Sequence, residues 1–371
     1  MISATENKRG LIQRLAPLVP PLALVAGSLF LFIFLLRRFP YDGFYAPDNY
    51  AYYYQARALW EQITGALPRS YELFTADGLQ HWPVGYHIQL IVGFLLNGVT
   101  PMGGWLLTIL MTALCPALLY WIMQRLFRDL YISGYVFYLV IAGVISGVLI
   151  SLNATFTRTG LSLMSDVPSC FWALLSIYFF VRAAPMATTQ QSDVPASKRQ
   201  RGILFALAGF SLGLAVLIRY GALLLAVPIA IYLIFAALPG RRNNNLLAML
   251  WSRLSPALWS IPFFLLALVP QALYLMTHNP GTGVSDFLGG ISLSNIFATT
   301  TYSTDGTSTF QHPMIIFYLL DPVWQVQSGF FSPFFIPAIG IGIFFLLAQH
   351  HWRIVAFLLS WWFCPALIYA M

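Results

Sequence analysis

The chain has 371 residues, of which 59% are hydrophobic, 16% aromatic and only 8% charged. Soluble domains carry about 25% charged residues, so this composition excludes a soluble enzyme, a disordered protein and a nucleic-acid-binding domain. The 19 basic residues exceed the 12 acidic ones by seven, an excess better read through membrane topology, in which Lys and Arg collect in cytoplasmic loops.

A membrane-crossing helix needs about 20 apolar residues. The first such run is residues 16–36, preceded by Lys8, Arg9 and Arg14. Its length and the lack of a small-residue cleavage site make it an uncleaved signal anchor with a cytoplasmic N-terminus. Further runs follow at 102–124, 132–150, 167–181, 203–218, 222–238, 256–277, 331–348 and 354–371. The stretch 84–97 is also apolar, but its 14 residues cover only about 21 Å. Tyr86, His87 and Gln89 interrupt it, so it reads as an interfacial or re-entrant helix. With nine spans, 13 basic residues fall inside and six outside: Arg37, Arg38, Arg57, Arg69, Arg158 and Arg219. Counting 84–97 as a span would reverse that bias, which argues against it.

Nine of the twelve acids then lie on the external face. Acidic residues contribute little to topology, so the external face is expected to carry the chemistry. The reading is an all-α polytopic membrane protein with external juxtamembrane helices. A transmembrane module spans 1–276, including an external loop over 37–101. An external loop or lid over 277–330, rich in Gly, Ser and Thr, follows. Further membrane helices fill 331–371, and since Met371 ends the chain within an apolar run, a longer protein is expected to continue past it. Cys115, Cys170 and Cys364 sit in apolar runs without redox or metal spacing.

Four elements could carry chemistry. In the run 41–60, Pro47 and Asp48 predict a helix start, with Asp48 as its cap. Asp48, Tyr52 and Gln55 share one face; Tyr50, Tyr53, Tyr54 and Arg57 partly share another. A carboxylate here, just outside the membrane, can deprotonate a hydroxyl, while the tyrosines read equally as an interfacial aromatic belt. His81, Trp82, Pro83, Gly85 and Tyr86 open the short helix. Asp166 starts a span with Pro168 in its first turn, which a capping role would explain. An acid at the lip of a span is nonetheless costly unless paired, and Arg158 lies eight residues earlier. Arg219 ends a span on the face that the positive-inside rule disfavours, and a guanidinium suits bidentate phosphate binding. His81, His87, His278 and His312 are scattered, so no metal ligands are assigned. No Walker, dinucleotide or serine-hydrolase motif occurs.

Taken in order, these elements resemble the GT-C superfamily of membrane glycosyltransferases, in the branch of bacterial aminoarabinose transferases and protein O-mannosyltransferases. Pro47, Asp48, Tyr52 and Arg57 match the acidic motif of the first external loop, with Asn49 in place of its second acid. Pro83, Gly85 and Tyr86 match the next segment, with Trp82 where a phosphate-binding Lys often stands. Asp166 matches a later Asp-Pro-type element, with Val167 inserted. Gly209, Gly213, Leu214, Leu217 and Arg219 match a glycine-spaced element ending in a cation. The resemblance covers about 60% of the chain, roughly 15–238.

The resemblance implies a GT-C-type helical bundle and an inverting transfer of a sugar from a polyprenyl-phosphate donor to an acceptor hydroxyl on a lipid, glycan or protein. It places Asp48 as general base and Asp166 as a second catalytic carboxylate that positions the base or the acceptor. Arg219, Arg158, Tyr52 and Arg57 would hold the donor phosphate, and Tyr53, His81 and Tyr86 the substrate. It names no certain cofactor, leaves a divalent metal open, and expects contact with membrane lipid and none with nucleic acid. The location expected is the plasma (inner) membrane with an external active site. The rival readings are a non-catalytic GT-C-like subunit of a glycan assembly or export system, and a lipid or glycan transporter. The latter would need ionisable groups near mid-span, and the runs hold none there.

Overall fold

The computed structural model describes residues 16–39, 43–44, 47–65, 82–127, 136–185, 197–238, 246–277, 293–303, 306–309, 313, 315 and 335–370. The chain is an all-α membrane protein; a small hairpin interrupts it. The helices are α1 (Val19–Arg38), α2 (Pro47–Thr64), α3 (Gly85–Asn97), α4 (Pro101–Leu126), α5 (Val136–Leu152), α6 (Ala154–Gly160) and α7 (Asp166–Ala183). Then come α8 (Lys198–Ile218), α9 (Ala226–Ala237), α10 (Leu246–Leu254), α11 (Ser260–Ala267), α12 (Val269–Thr277), α13 (Phe335–Ala348) and α14 (Trp352–Ala370). Strands β1 (Thr300–Ser303) and β2 (Gly306–Thr309) pair antiparallel, Thr300 opposite Thr309, within the Gly/Ser/Thr-rich segment expected to be a loop.

Among the described residues, each of the nine apolar runs is largely helical. Among the described residues six helical stretches are long and apolar enough to cross a membrane, and a seventh if α5 and α6, bent by 65° at their junction, form one span. Two shorter apolar helices lie at 339–348 and 352–364. The 84–97 stretch is the 13-residue α3, as its length requires.

In a membrane, helix association relies on close packing of small residues and on hydrogen bonds between helices. Both devices are present. Ser169 and Ser176 of α7 donate to the carbonyls of Ala215 and Ala208 on α8, at 3.0 and 2.8 Å. Ser28 of α1 lies 2.9 Å from Ser151 of α5. Because Ser151 donates its own proton to the Gly147 carbonyl, Ser28 must be the donor of that pair. On the other side of α8, Gly209 and Gly213 meet α11 so closely that a β-carbon at 209 would lie 2.0 Å from the Ser260 carbonyl oxygen. The glycines of the glycine-spaced element therefore pack a helix.

The two ends of the bundle differ in chemistry. At the end where α7 finishes and α8 begins, arginines cap the exposed carbonyls of helix C-termini, where positive charge complements the helix dipole. Arg201 donates to the Ala183 and Arg253 carbonyls, Arg253 to Ala237, and Arg353 to Phe235 and Leu238. At the opposite end, α7 begins with Asp166 and α8 stops just before Arg219. The start of α3 is anchored there by α12: Gln271 Oε1 accepts from the buried Val84 N–H at 2.8 Å.

Candidate active site

The second end gathers three of the sequence candidates. Helix α2 begins at Pro47, so Asp48 lies within its first turn and not at the cap. Its carboxylate is exposed. Asp166 is likewise the first residue of α7, and no side chain caps that helix. The Asp166 carboxylate instead forms an ion pair through Oδ1 with the Arg219 guanidinium. Its other oxygen, Oδ2, is buried, and among the described residues no hydrogen-bond donor reaches it. A buried acceptor without a donor is costly and rare, so Oδ2 is a position where a bound hydroxyl or cation would be favoured.

Tyr52 links these charges. It is buried one turn along α2 from Asp48, and its hydroxyl lies 2.9 Å from Ser165 Oγ, next to Asp166. Burial pushes the phenol up to about 12, against the opposing pull of the Ser165 bond and of Arg219; Asp166 and Asp48 also bear on it, both raising it. Arg219, Asp166 and Asp48 thus all act electrostatically on one phenol that stays protonated at neutral pH.

Asn49, which stands where the motif would have a second acid, is fully buried and donates through Nδ2 to the Leu163 carbonyl at 3.0 Å. The Leu163 N–H in turn donates to the Gly43 carbonyl at 3.2 Å. Gly43 adopts φ +88°, a left-handed turn open to glycine at little cost. Leu163 is therefore held at both its backbone groups by the segment around the start of α2, two residues before the Ser165–Asp166 pair. A carboxylate at 49 would face the Leu163 carbonyl without a proton to give. Asn49→Asp is expected to lower stability by about 1–3 kcal/mol or more, the cost of a buried unpaired acceptor. Thermal unfolding in detergent measures it, and a wild-type melting temperature would refute the assignment.

The remaining candidates play other parts. Trp82 packs against Tyr52 with ring centroids 4.3 Å apart and planes tilted by 31°, and Tyr86 meets the same ring edge-on at 4.9 Å. Where the motif often has a Lys, this site has an aromatic wall. Tyr86 is fully buried with its hydroxyl 3.2 Å from Thr108 Oγ1, and burial raises its phenol further than that bond lowers it. Tyr53 is buried between Phe44 and Phe94. Arg57 is engaged by Glu61, Nε to Oε1 2.9 Å, one turn along the same helix, a bond that raises its pKa. Arg158 is exposed on α6. His81 lies outside the described residues. No group of three or more His, Cys, Asp or Glu suited to a metal occurs among the described residues.

The sequence gives His87 no role beyond that of one of four scattered histidines. His87 is fully buried, with Nε2 2.9 Å from Gln55 Oε1, so it joins α3 to α2. Burial lowers its pKa to about 3, and the backbone of Pro83 only partly offsets this. The folded state thus keeps the ring neutral where the unfolded chain, with a pKa near 6.5, binds a proton. Stability should fall as pH drops from about 6.5 towards 3, by up to about 1.4 kcal/mol per pH unit. His87→Gln should flatten that slope in melting curves taken between pH 7 and 4; an unchanged slope would exclude His87 as its source.

Residues 76–282, more than half of the chain, match the model of the dolichyl-phosphate-mannose-protein mannosyltransferase family. In fold the chain is similar to ArnT from Cupriavidus metallidurans, solved bound to undecaprenyl phosphate, with a TM-score of 0.55 and 16% identity. That alignment covers 96% of this chain and 58% of ArnT, so the chain spans less than two thirds of ArnT's length. A more distant similarity is to the Archaeoglobus fulgidus oligosaccharyltransferase solved with a tethered acceptor peptide, at TM-score 0.39, 12% identity, and 94% and 48% coverage. No curated protein sequence matches. From the match over 76–282, and with a GT-C-type fold, the chain belongs to the dolichyl-phosphate-mannose-protein mannosyltransferase family.

Proposed function

We propose that the chain is the membrane module of an inverting glycosyltransferase that moves a sugar from a polyprenyl-phosphate donor to an acceptor hydroxyl on the external face of the plasma membrane. In this reading residues 1–276 form the catalytic module, 277–330 an external loop or lid, and 331–371 additional membrane helices. The observation that carries the reading is the Asp166–Arg219 pair at the lip of two packed helices, with Asp48 acting on the same buried phenol.

Each group has a chemical task. The acceptor oxygen attacks the anomeric carbon as the bond from that carbon to the phosphate oxygen breaks, which inverts the centre. The acceptor's proton passes to the exposed Asp48 carboxylate. Negative charge builds on the departing phosphate, and preorganised donors stabilise it. A guanidinium carries five donors in a planar fork, so Arg219 can hold Asp166 through Nη1 and a phosphate oxygen through another nitrogen. Asp166 keeps the fork oriented and offers Oδ2 to a hydroxyl of the sugar or acceptor. Trp82 presents an aromatic wall beside Tyr52, suited to the apolar face of a sugar ring. A lipid-borne donor also suits a protein without a nucleotide-binding motif.

The test is radiolabel transfer in membranes from cells expressing the gene, offering a panel of polyprenyl-phosphate sugars beside nucleotide sugars. Transfer from a polyprenyl-phosphate sugar, reduced in Arg219→Gln with the protein retained in the membrane, is the expected result. Transfer from a nucleotide sugar without a lipid intermediate, or equal transfer by Arg219→Gln, would overturn the reading.

A further inference from the structure

On the Asp166 face of the protein a groove of about 400 Å³ opens between α1 and α6. Its existence follows from the 65° bend that turns α6 out of line with α5. The bend is built by specific bonds. Asn153 Oδ1 accepts from the Phe156 N–H at 2.8 Å, and Thr157 Oγ1 donates to the Ser151 carbonyl at 2.8 Å. One wall is the apolar edge of α1, where Leu31 and Leu35 stand one turn apart and continue to Leu36 and Phe39. This helix is a membrane span with only 22% of its apolar window buried, so it faces hydrocarbon over most of its surface.

Arg158 of α6 also lines the groove and is exposed. Arg37 and Arg38, both exposed, lie between Leu36 and Phe39 at the end of α1. Arg158 thus lies in the lining itself, and Arg37 and Arg38 directly adjoin the lining residues Leu36 and Phe39 in the chain. Topology disfavours cations on the external face, and a basic rim above an apolar slot at a membrane interface matches a lipid phosphate with its chain below.

We propose that this groove binds an acidic glycerophospholipid, with one acyl chain along α1 and its phosphate against Arg158, Arg37 and Arg38. The site is separate from the proposed donor site, since α7 and α8, which supply Asp166 and precede Arg219, contribute none of its lining. It does not depend on the transferase reading. Leu161 lines the groove and begins the short segment held at Leu163 that leads to Asp166. Lipid in the groove therefore stabilises the segment that presents the acid.

The experiment is thermal unfolding of the full chain, purified in detergent and stripped of lipid. Dioleoyl-phosphatidylglycerol, dioleoyl-phosphatidylcholine or undecaprenyl phosphate is added back. Phosphatidylglycerol is expected to raise the midpoint by about 3 °C or more, because a ligand that binds only the folded state stabilises it, and phosphatidylcholine is not. Arg158→Gln removes a charge at the mouth, and Leu35→Trp fills the groove while leaving the charges. Each should abolish the increment, and native mass spectrometry should lose the bound lipid in parallel. Equal shifts with both phospholipids, a phosphatidylglycerol shift retained in Arg158→Gln, or a shift with undecaprenyl phosphate alone would overturn the proposal. Arg158→Gln, at an exposed position, keeps the test decisive should Leu35→Trp fail to fold.

Discussion

Asp48→Asn is expected to lower sugar transfer by about 10²–10⁴-fold, the usual contribution of a positioned general base, while the protein remains folded in the membrane. The substitution keeps the size and shape of the side chain and removes only its capacity to take a proton. Asp48 is exposed in the first turn of α2, whose position depends on its neighbours Asn49 and Tyr52 through their bonds to Leu163 and Ser165. The fold should therefore tolerate the change. Donor binding should survive, because the phosphate contact is assigned to Arg219. Asp166→Asn provides the contrast. It weakens the ion pair that orients Arg219, so donor KM should rise along with the fall in kcat. The measurement is initial-rate transfer in membranes with matched protein levels. Equal rates for wild type and Asp48→Asn would remove Asp48 from the chemistry, and a loss of protein from the membrane would make its role structural.

Gly209→Ala should be the most damaging single-methyl change in the transmembrane core. The added β-carbon would lie 2.0 Å from the Ser260 carbonyl oxygen and 2.6 Å from its carbonyl carbon. Neither is the end of a flexible side chain, so α11 must move as a body. One turn on, a β-carbon at Gly213 would lie 2.6 Å from the Ala267 β-carbon and 2.7 Å from the Phe264 carbonyl oxygen, so displacement at 209 loosens that contact too. Overpacking of this kind costs about 1–3 kcal/mol and occasionally more, and here backbone must yield. Gly202, on the same helix, is the control. A β-carbon there meets only Trp259, at 3.7 Å, and Ala in a helix interior is favoured over Gly by about 0.5–1 kcal/mol. Heating detergent-solubilised protein before size-exclusion chromatography should show a lowered midpoint for Gly209→Ala and an unchanged or raised one for Gly202→Ala. Equal midpoints would show that α8 and α11 do not pack as described.

The two predictions depend on different kinds of information. Asp48 and Arg219 could be picked out in the sequence because an acid in a loop between apolar runs and a cation at the end of one stand out against an apolar background. Gly209 and Gly213 could be seen as a motif, but their partner could not: α11 lies about 50 residues later, and only the packed helices reveal the carbonyls that require them. The same holds for Asn49, which stands in place of an acid in the one-dimensional pattern. In three dimensions it is the donor that holds Leu163.

Composition, run length and charge bias were enough for an all-α membrane protein, for the place of its apolar helices, and for the shortness of α3. These are local properties, set by the transfer cost of each residue and by the rise of a helix. What tertiary structure alone decided is how single residues are used. The sequence leaves Asp166 as either a cap or a paired acid, and in the fold it pairs with Arg219, 53 residues away. Tyr53 and Tyr86 are packed in the interior, Arg57 is taken by Glu61, and His87 is buried against Gln55. The α5–α6 bend shapes a groove that no spacing of residues foretells. A side chain's protonation, pairing and exposure depend on the elements packed against it, and those contacts join positions that the sequence keeps far apart.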